Sequence, residues 1–162
     1  MTEKCSVCGY NVIQPNGVRS APYLIVGEKP SFDDQRIGIP FTGNIQDMLK
    51  YELARVGIQL QRCRLITAWP HADGKNPECL NQHFGLVLQE LMINRTAVLF
   101  VGEGLPQMFG APPLKDISGL VVDVLPNINL TGRFVFVGSL FGYQGGTIGE
   151  LRFGLNNLRG EL

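Results

Sequence analysis

The chain has no excess of charge: 14 lysines and arginines stand against 14 aspartates and glutamates. Such a balance advertises no nucleic-acid partner, although net charge is silent about how charge is distributed. No apolar run approaches the ~18 residues of a membrane span. The opening residues Met1-Thr2-Glu3-Lys4-Cys5 contain no apolar core of a signal peptide, so a cytoplasmic location is expected. No repeat, linker or low-complexity tract interrupts the 162 residues, which predicts one domain over 1–162 with a full core. Disorder is excluded by 44% hydrophobic against 17% charged residues. Cysteines number only four, and in a cytosolic chain they favour metal ligation or free thiols over disulfides.

What is present centres on residues 23–57. The apolar run Tyr23-Leu24-Ile25-Val26 ends at Gly27 and reads as a buried strand. Gly27-Glu28-Lys29-Pro30 follows, then a loop with Asp33 and Asp34, then Gly38-Ile39-Pro40-Phe41-Thr42-Gly43. Asn44 is expected to cap a helix whose apolar face is Ile45, Met48, Leu49, Leu53 and Val56, with Gly57 ending it. A carboxylate, a proline turn and an exposed phenylalanine thus fall at the carboxyl end of a strand, the edge where open α/β sheets bind ligands.

Three further runs read as buried strands: Arg64–Ala68, Ala97–Val101 and Phe134–Val137. Helical patterns lie between them, including one through Leu86, Val87, Leu88, Leu91 and Met92. The expected fold is therefore α/β and three-layered, with a central four-stranded parallel sheet flanked by helices. Residues 111–133 read as a loop and, through Val121–Leu125, a short strand or hairpin ending at Thr131-Gly132. Gly102-Glu103-Gly104 lacks the third glycine of a dinucleotide fingerprint and reads as a turn. From Thr147 onward, Thr147 with Glu150 makes a capping-box pattern, and Ile148, Leu151, Leu155 and Leu158 share one helix face. Near the start, Cys5-Ser6-Val7-Cys8-Gly9 can hold one metal from a tight turn. Residues 1–22 offer few apolar groups, so a metal is expected to fasten this arm to the body.

The 23–57 stretch resembles the first motif of the uracil-DNA glycosylase superfamily, and most of all its iron–sulfur branch, family 4. Gly27-Glu28-Lys29-Pro30 and Gly38-Ile39-Pro40-Phe41-Thr42-Gly43 carry the likeness, with Ser31 in place of a glycine. The resemblance implies that Glu28 orients water or stabilises the sugar, and that Phe41 stacks on a flipped base. Gly27, Pro30 and Gly43 would complete the substrate site, with Ser139 standing where the family's second motif begins. The family's base-reading asparagine falls at Ala68, and its catalytic histidine at Gly138. The family's third and fourth cluster cysteines fall where this chain has His71, Cys79 and His83. Mixed cysteine and histidine ligation suits zinc; a 4Fe–4S cluster is the alternative, requiring Cys63 to reach the others. The expected ligand set is Cys5, Cys8, His71, Cys79 and His83, of which four bind.

Two functional readings follow from this resemblance. One is a DNA-repair glycosylase, binding a flipped base or nucleotide, with altered or reduced activity. The other is a non-catalytic DNA- or protein-binding module on the same fold. DNA is the expected partner, with a protein partner open as well under the second reading, and the chain is expected to be a monomer that meets no membrane. The run Ser139-Leu140-Phe141-Gly142-Tyr143 reads as an exposed loop whose apolar side chains wedge into DNA.

Overall fold

The computed structural model describes residues 3–72, 76–140 and 145–160. Its centre is a sheet of five strands: β1 (Tyr23–Gly27), β2 (Cys63–Thr67), β3 (Ala97–Val101), β4 (Val121–Leu125) and β5 (Leu130–Val137). The spatial order is β2-β1-β3-β5-β4. β1 pairs in parallel with both β2 and β3, and β5 in parallel with β3. β4 runs antiparallel to β5, with a bulge between Val122 and Val124. The expectation of four parallel strands is therefore corrected to four parallel strands plus one antiparallel edge. Half-exposed and exposed residues through most of β4 explain why its sequence looked unlike a core strand. An edge strand hydrogen-bonds on one side only, and its pattern is correspondingly weak.

Side chains alternate across the sheet with the two-residue period of a strand. Ile25, Leu65, Leu99 and Val135 face α2 (Asn44–Arg55) and α6 (Gly145–Arg159). Leu24, Val26, Ile66, Val98, Phe100 and Phe136 face the other way. There they meet α3 (Pro77–Met92), α4 (Leu105–Met108) and α5 (Leu114–Ile117). Both faces are thus covered, which is why these strands read as unbroken apolar runs.

Two helix starts differ from expectation. Residues Phe32–Ile37 form a helix, α1, where a loop was expected. Ser31 and Asp34 cap it reciprocally, each side chain accepting the other's backbone N–H. For α2 the cap residue is Gly43 at φ +66°, so Asn44 is the first helical residue. Gly57 follows the helix at φ +79°, a left-handed position suited to glycine. The Thr147 capping pattern lies outside the described side chains.

The N-terminal arm is held by more than the sequence suggested. Cys5, Val12, Ile13 and Ala21 are buried. The Ile13 N–H donates to the Pro70 carbonyl at 2.8 Å and the Gln14 N–H to the Gly38 carbonyl at 3.0 Å. Asn16 and Leu65 exchange two backbone hydrogen bonds, of 2.9 and 2.7 Å, along the free edge of β2. Among the described residues no helix is long and apolar enough to cross a membrane.

Candidate functional site

Glu28 follows the last residue of β1 and is fixed on both sides. Its N–H donates to the Val101 carbonyl at 3.1 Å, and its own carbonyl accepts the Trp69 N–H at 2.9 Å. Neighbouring strands thus set where its side chain leaves the sheet. Glu28 Oε1 then accepts the backbone N–H of Gly104 at 2.8 Å. The carboxylate crosses the turn after β3 so closely that side chains there would collide with it. A Cβ on Gly102 would stand 2.6 Å from the Glu28 Cβ, and one on Gly104 would stand 2.8 Å from Oε2. The Gly-x-Gly read as a bare turn is therefore the bed of this carboxylate. A missing third glycine argued only against a nucleotide; it said nothing of an acid arriving from another strand.

Phe41 lies beside it, buried at 6% exposure, with its ring pressed on Gly27, where a Cβ would come within 2.7 Å of the ring tip. The phenylalanine expected to be exposed is thus mostly enclosed, but it still borders a cavity. That cavity has a volume of about 310 Å³ and opens at the carboxyl ends of β1, β3 and β5. Glu28, Lys29, Phe41, Glu103, Ser139 and Leu140 are among its walls. Gly27 lines it too, whereas Pro30 and Gly43 are not among its lining residues. Pro30 is buried and shapes the turn, and Gly43 serves the start of α2. Lys29, missed by the sequence reading, also lines the cavity, while its ammonium rests over the Trp69 ring, 5.0 Å from the centroid.

Leu140 is 2% exposed and belongs to the core under α6, so it is no DNA wedge. Phe141 and Tyr143 lie outside the described residues. Ala68 is fully buried, its N–H donating to the Gly27 carbonyl at 2.8 Å. Gly138 is buried, and among the described residues only Leu114 comes near the place of a Cβ, at 3.8 Å.

A second constellation forms at the arm. Cys5 and Cys8 flank a tight turn, closed by the Gly9 N–H donating to the Cys5 carbonyl at 2.8 Å with Gly9 at φ +80°. His71 comes from the loop after β2 and Cys79 from the first turn of α3. The ligand atoms of Cys5, Cys8, His71 and Cys79 all lie within 4.8 Å of one another, a group that could hold a metal ion. His71 Nε2 stands 3.0 Å from the Cys8 sulfur, and its Nδ1 is buried without a hydrogen-bond partner among the described residues. Burial works to raise the Cys5 thiol. Backbone N–H groups of Cys8 and Val7, with help from His71 and Cys79, outweigh it and lower Cys5 from 9.0 to about 6. Cys79 is pushed the other way, to about 12, by burial and then by its neighbours Cys5 and Cys8. Three thiols this close cannot all ionise unaided, which is the electrostatic problem a bound cation solves.

His83 stands apart from this group, with Nε2 3.1 Å from the Thr67 carbonyl. Four-residue spacing from Cys79 put it on a similar helix face, but its ring turns to the Thr67 carbonyl while Cys79 joins the cysteines of the arm. Cys63 opens β2 at the amino end of the sheet, buried in the core on the α2 side. Burial lifts its thiol to about 12.

A search of curated proteins finds no match to this chain. The family model described as the uracil DNA glycosylase superfamily matches residues 15–140. The match takes in β1 to β5 and the cavity's walls, and it starts after Cys5 and Cys8. Covering well over half of the sequence, it shows that the chain belongs to the uracil DNA glycosylase superfamily.

Proposed function

We propose that this protein binds an extrahelical base of DNA in the cavity at the carboxyl edge of its sheet, as a glycosylase with weakened action on uracil. The observation that carries this reading is the Glu28 carboxylate, tied to the Gly104 N–H at 2.8 Å and facing the same cavity as Phe41. A base drawn from the stack would lie against the Phe41 ring, and Glu28 would sit toward its sugar. In the hydrolysis, water oxygen bonds to the sugar carbon as the carbon–nitrogen bond breaks; the base leaves with the bonding pair, and the proton that the water sheds ends on the base. Glu28 is suited to orient that water and to stabilise the positive sugar.

The weak action follows from what faces the leaving base. By the likeness to the iron–sulfur branch, Ala68 stands for the base-reading asparagine and Gly138 for the catalytic histidine. Neither supplies a hydrogen bond from its side chain. Removing a single donor of this kind costs ~10²–10³ in rate, so the loss of two leaves little excision. The same two vacancies, with zero net charge, support the second reading, a module that holds the base without cutting.

The four-residue cluster supports zinc as the arm's anchor, through Cys5, Cys8, His71 and Cys79. At a zinc–sulfur distance of ~2.3 Å, tetrahedral neighbours stand roughly 3.8 Å apart, in keeping with donors grouped inside 4.8 Å. A 4Fe–4S cluster is ordinarily held by four cysteine thiolates, whereas one of these four donors is His71. The ion would supply a closed structural crosslink with no open position for water.

The test is excision and binding on single-stranded and duplex oligonucleotides containing uracil, hypoxanthine or mismatched thymine. Binding with slow or no release of uracil is expected, and Glu28→Gln should abolish whatever release remains. Fast uracil release that depends on Glu28 would overturn the weakened-enzyme reading. Absence of binding to every oligonucleotide would overturn the base-binding reading itself.

A further inference from the structure

Phe41 does more than line the cavity: its backbone is left-handed, at φ +55°. A bulky residue avoids this region, and only Asn129 shares it among the described non-glycine residues. Something must hold it there. The structure points to Asp34, which is 3% exposed although ionisable.

Asp34 sits in α1, and its two oxygens take four hydrogen bonds. Oδ2 accepts the Ser31 N–H at 3.1 Å and the Phe41 N–H at 3.1 Å. Oδ1 accepts the Thr42 N–H at 2.9 Å and the Thr42 hydroxyl at 2.5 Å. Capping α1 requires only the first of these. The other three reach seven and eight residues along the chain and gather two successive backbone N–H groups onto one carboxylate. Two consecutive N–H groups converge in this way when the backbone turns back on itself, as it does at Phe41. With all of its acceptor directions engaged, Asp34 has none left for a substrate, and it is not among the residues lining the cavity.

We propose that Asp34 is a positioning residue: its carboxylate locks Phe41 in the left-handed conformation and so presses the ring onto Gly27 as a fixed wall of the cavity. The functional part of this inference rests on the reading that Phe41 receives a base. The positional part does not, and the two separate in the experiment.

The Gly27 α-protons touch the Phe41 ring, so their NMR frequencies carry a ring-current shift. Wild type and Phe41→Leu set the two limits of that shift. Asp34→Asn keeps one oxygen but turns an NH2 toward N–H donors, and should move the Gly27 resonance most of the way to the Phe41→Leu limit. Methyl resonances of Leu99 and Val135, deep in the core, should stay in place. A wild-type Gly27 frequency in folded Asp34→Asn overturns the proposal. Should that variant not fold, Thr42→Val removes one donor of the four and must shift Gly27 in the same direction; no shift overturns the proposal equally. Binding of a single-stranded oligonucleotide carrying one uracil then tests the consequence. Phe41→Leu should weaken it about fivefold or more. Asp34→Asn should weaken it comparably in the wild-type background and add nothing in the Phe41→Leu background. Equal losses in both backgrounds would show that Asp34 does not act through Phe41. Unchanged affinity in Phe41→Leu would remove the base-stacking reading, while the Gly27 resonance would still decide whether Asp34 positions the ring.

Discussion

Two glycines one residue apart should respond to the same small substitution in opposite ways. In Gly102→Ala, the new methyl would sit 2.6 Å from the Glu28 Cβ, next to a backbone hydrogen-bonded on both sides. It cannot be accommodated by a rotamer change. Gly102 also sits at φ +149°, a conformation that L side chains rarely adopt. Overpacking costs ~1–3 kcal/mol, and backbone strain of this kind is of similar size. Together about 2–6 kcal/mol is expected, which in a chain of this length lowers the melting temperature by roughly 4–24 °C. In Gly104→Ala the backbone is ordinary, at φ −83°, and the clash is with the Glu28 Oε2 at 2.8 Å. That oxygen ends a flexible side chain and can swing away, losing the Gly104 N–H. The cost should be about 1 kcal/mol, or roughly 2–4 °C. Function should invert the ranking. Gly104→Ala should lose oligonucleotide excision or binding while staying well folded, because the carboxylate has left its place. Thermal unfolding followed by circular dichroism, beside the oligonucleotide assay, reads both quantities. Equal melting losses in the two variants, or wild-type function in Gly104→Ala, would refute the idea that these glycines seat the carboxylate.

Freshly prepared protein should contain one zinc per chain by elemental analysis; Cys5→Ser should lose it and Cys63→Ser should keep it. Iron with sulfide and a brown colour would establish the cluster instead. Glu90 pairs with the buried Arg95 at 2.9 Å and with Arg64 at 3.0 Å. Glu90→Ala removes the carboxylate from a guanidinium whose side chain is 1% exposed, leaving it the Ala21 and residue-90 backbone carbonyls, and should destabilise the fold by about 3 kcal/mol in denaturant titration. Burial raises Cys63 from 9.0 to about 12, against a small opposing pull from Arg62. The unfolded thiol ionises first, so its contribution is complete below about pH 9 and lost as pH climbs from 9 to 12. Across that window wild type should lose up to about 1.4 kcal/mol per pH unit more than Cys63→Ala. Parallel stability curves would show that Cys63 is not shielded.

The sequence by itself determined the elements whose signals are local. Four apolar runs became β1, β2, β3 and the end of β5, because a strand buried on both faces needs such a run wherever it packs. The face Ile45, Met48, Leu49, Leu53 and Val56 became the inner side of α2 for the same reason. Glu28 could be placed at the carboxyl edge because Gly27 ends its strand. Only the tertiary structure decided matters of distance between remote segments. His71 and His83 are alike in sequence, and the path of the arm across α3 brings one to the cysteines and leaves the other on the Thr67 carbonyl. Asp34 looked like loop charge until its carboxylate met Phe41 and Thr42. Gly102 and Gly104 looked like a turn until Glu28 crossed them from another strand. Each of these roles depends on a contact between groups far apart along the chain, and no residue pattern within one segment encodes the position of its partner.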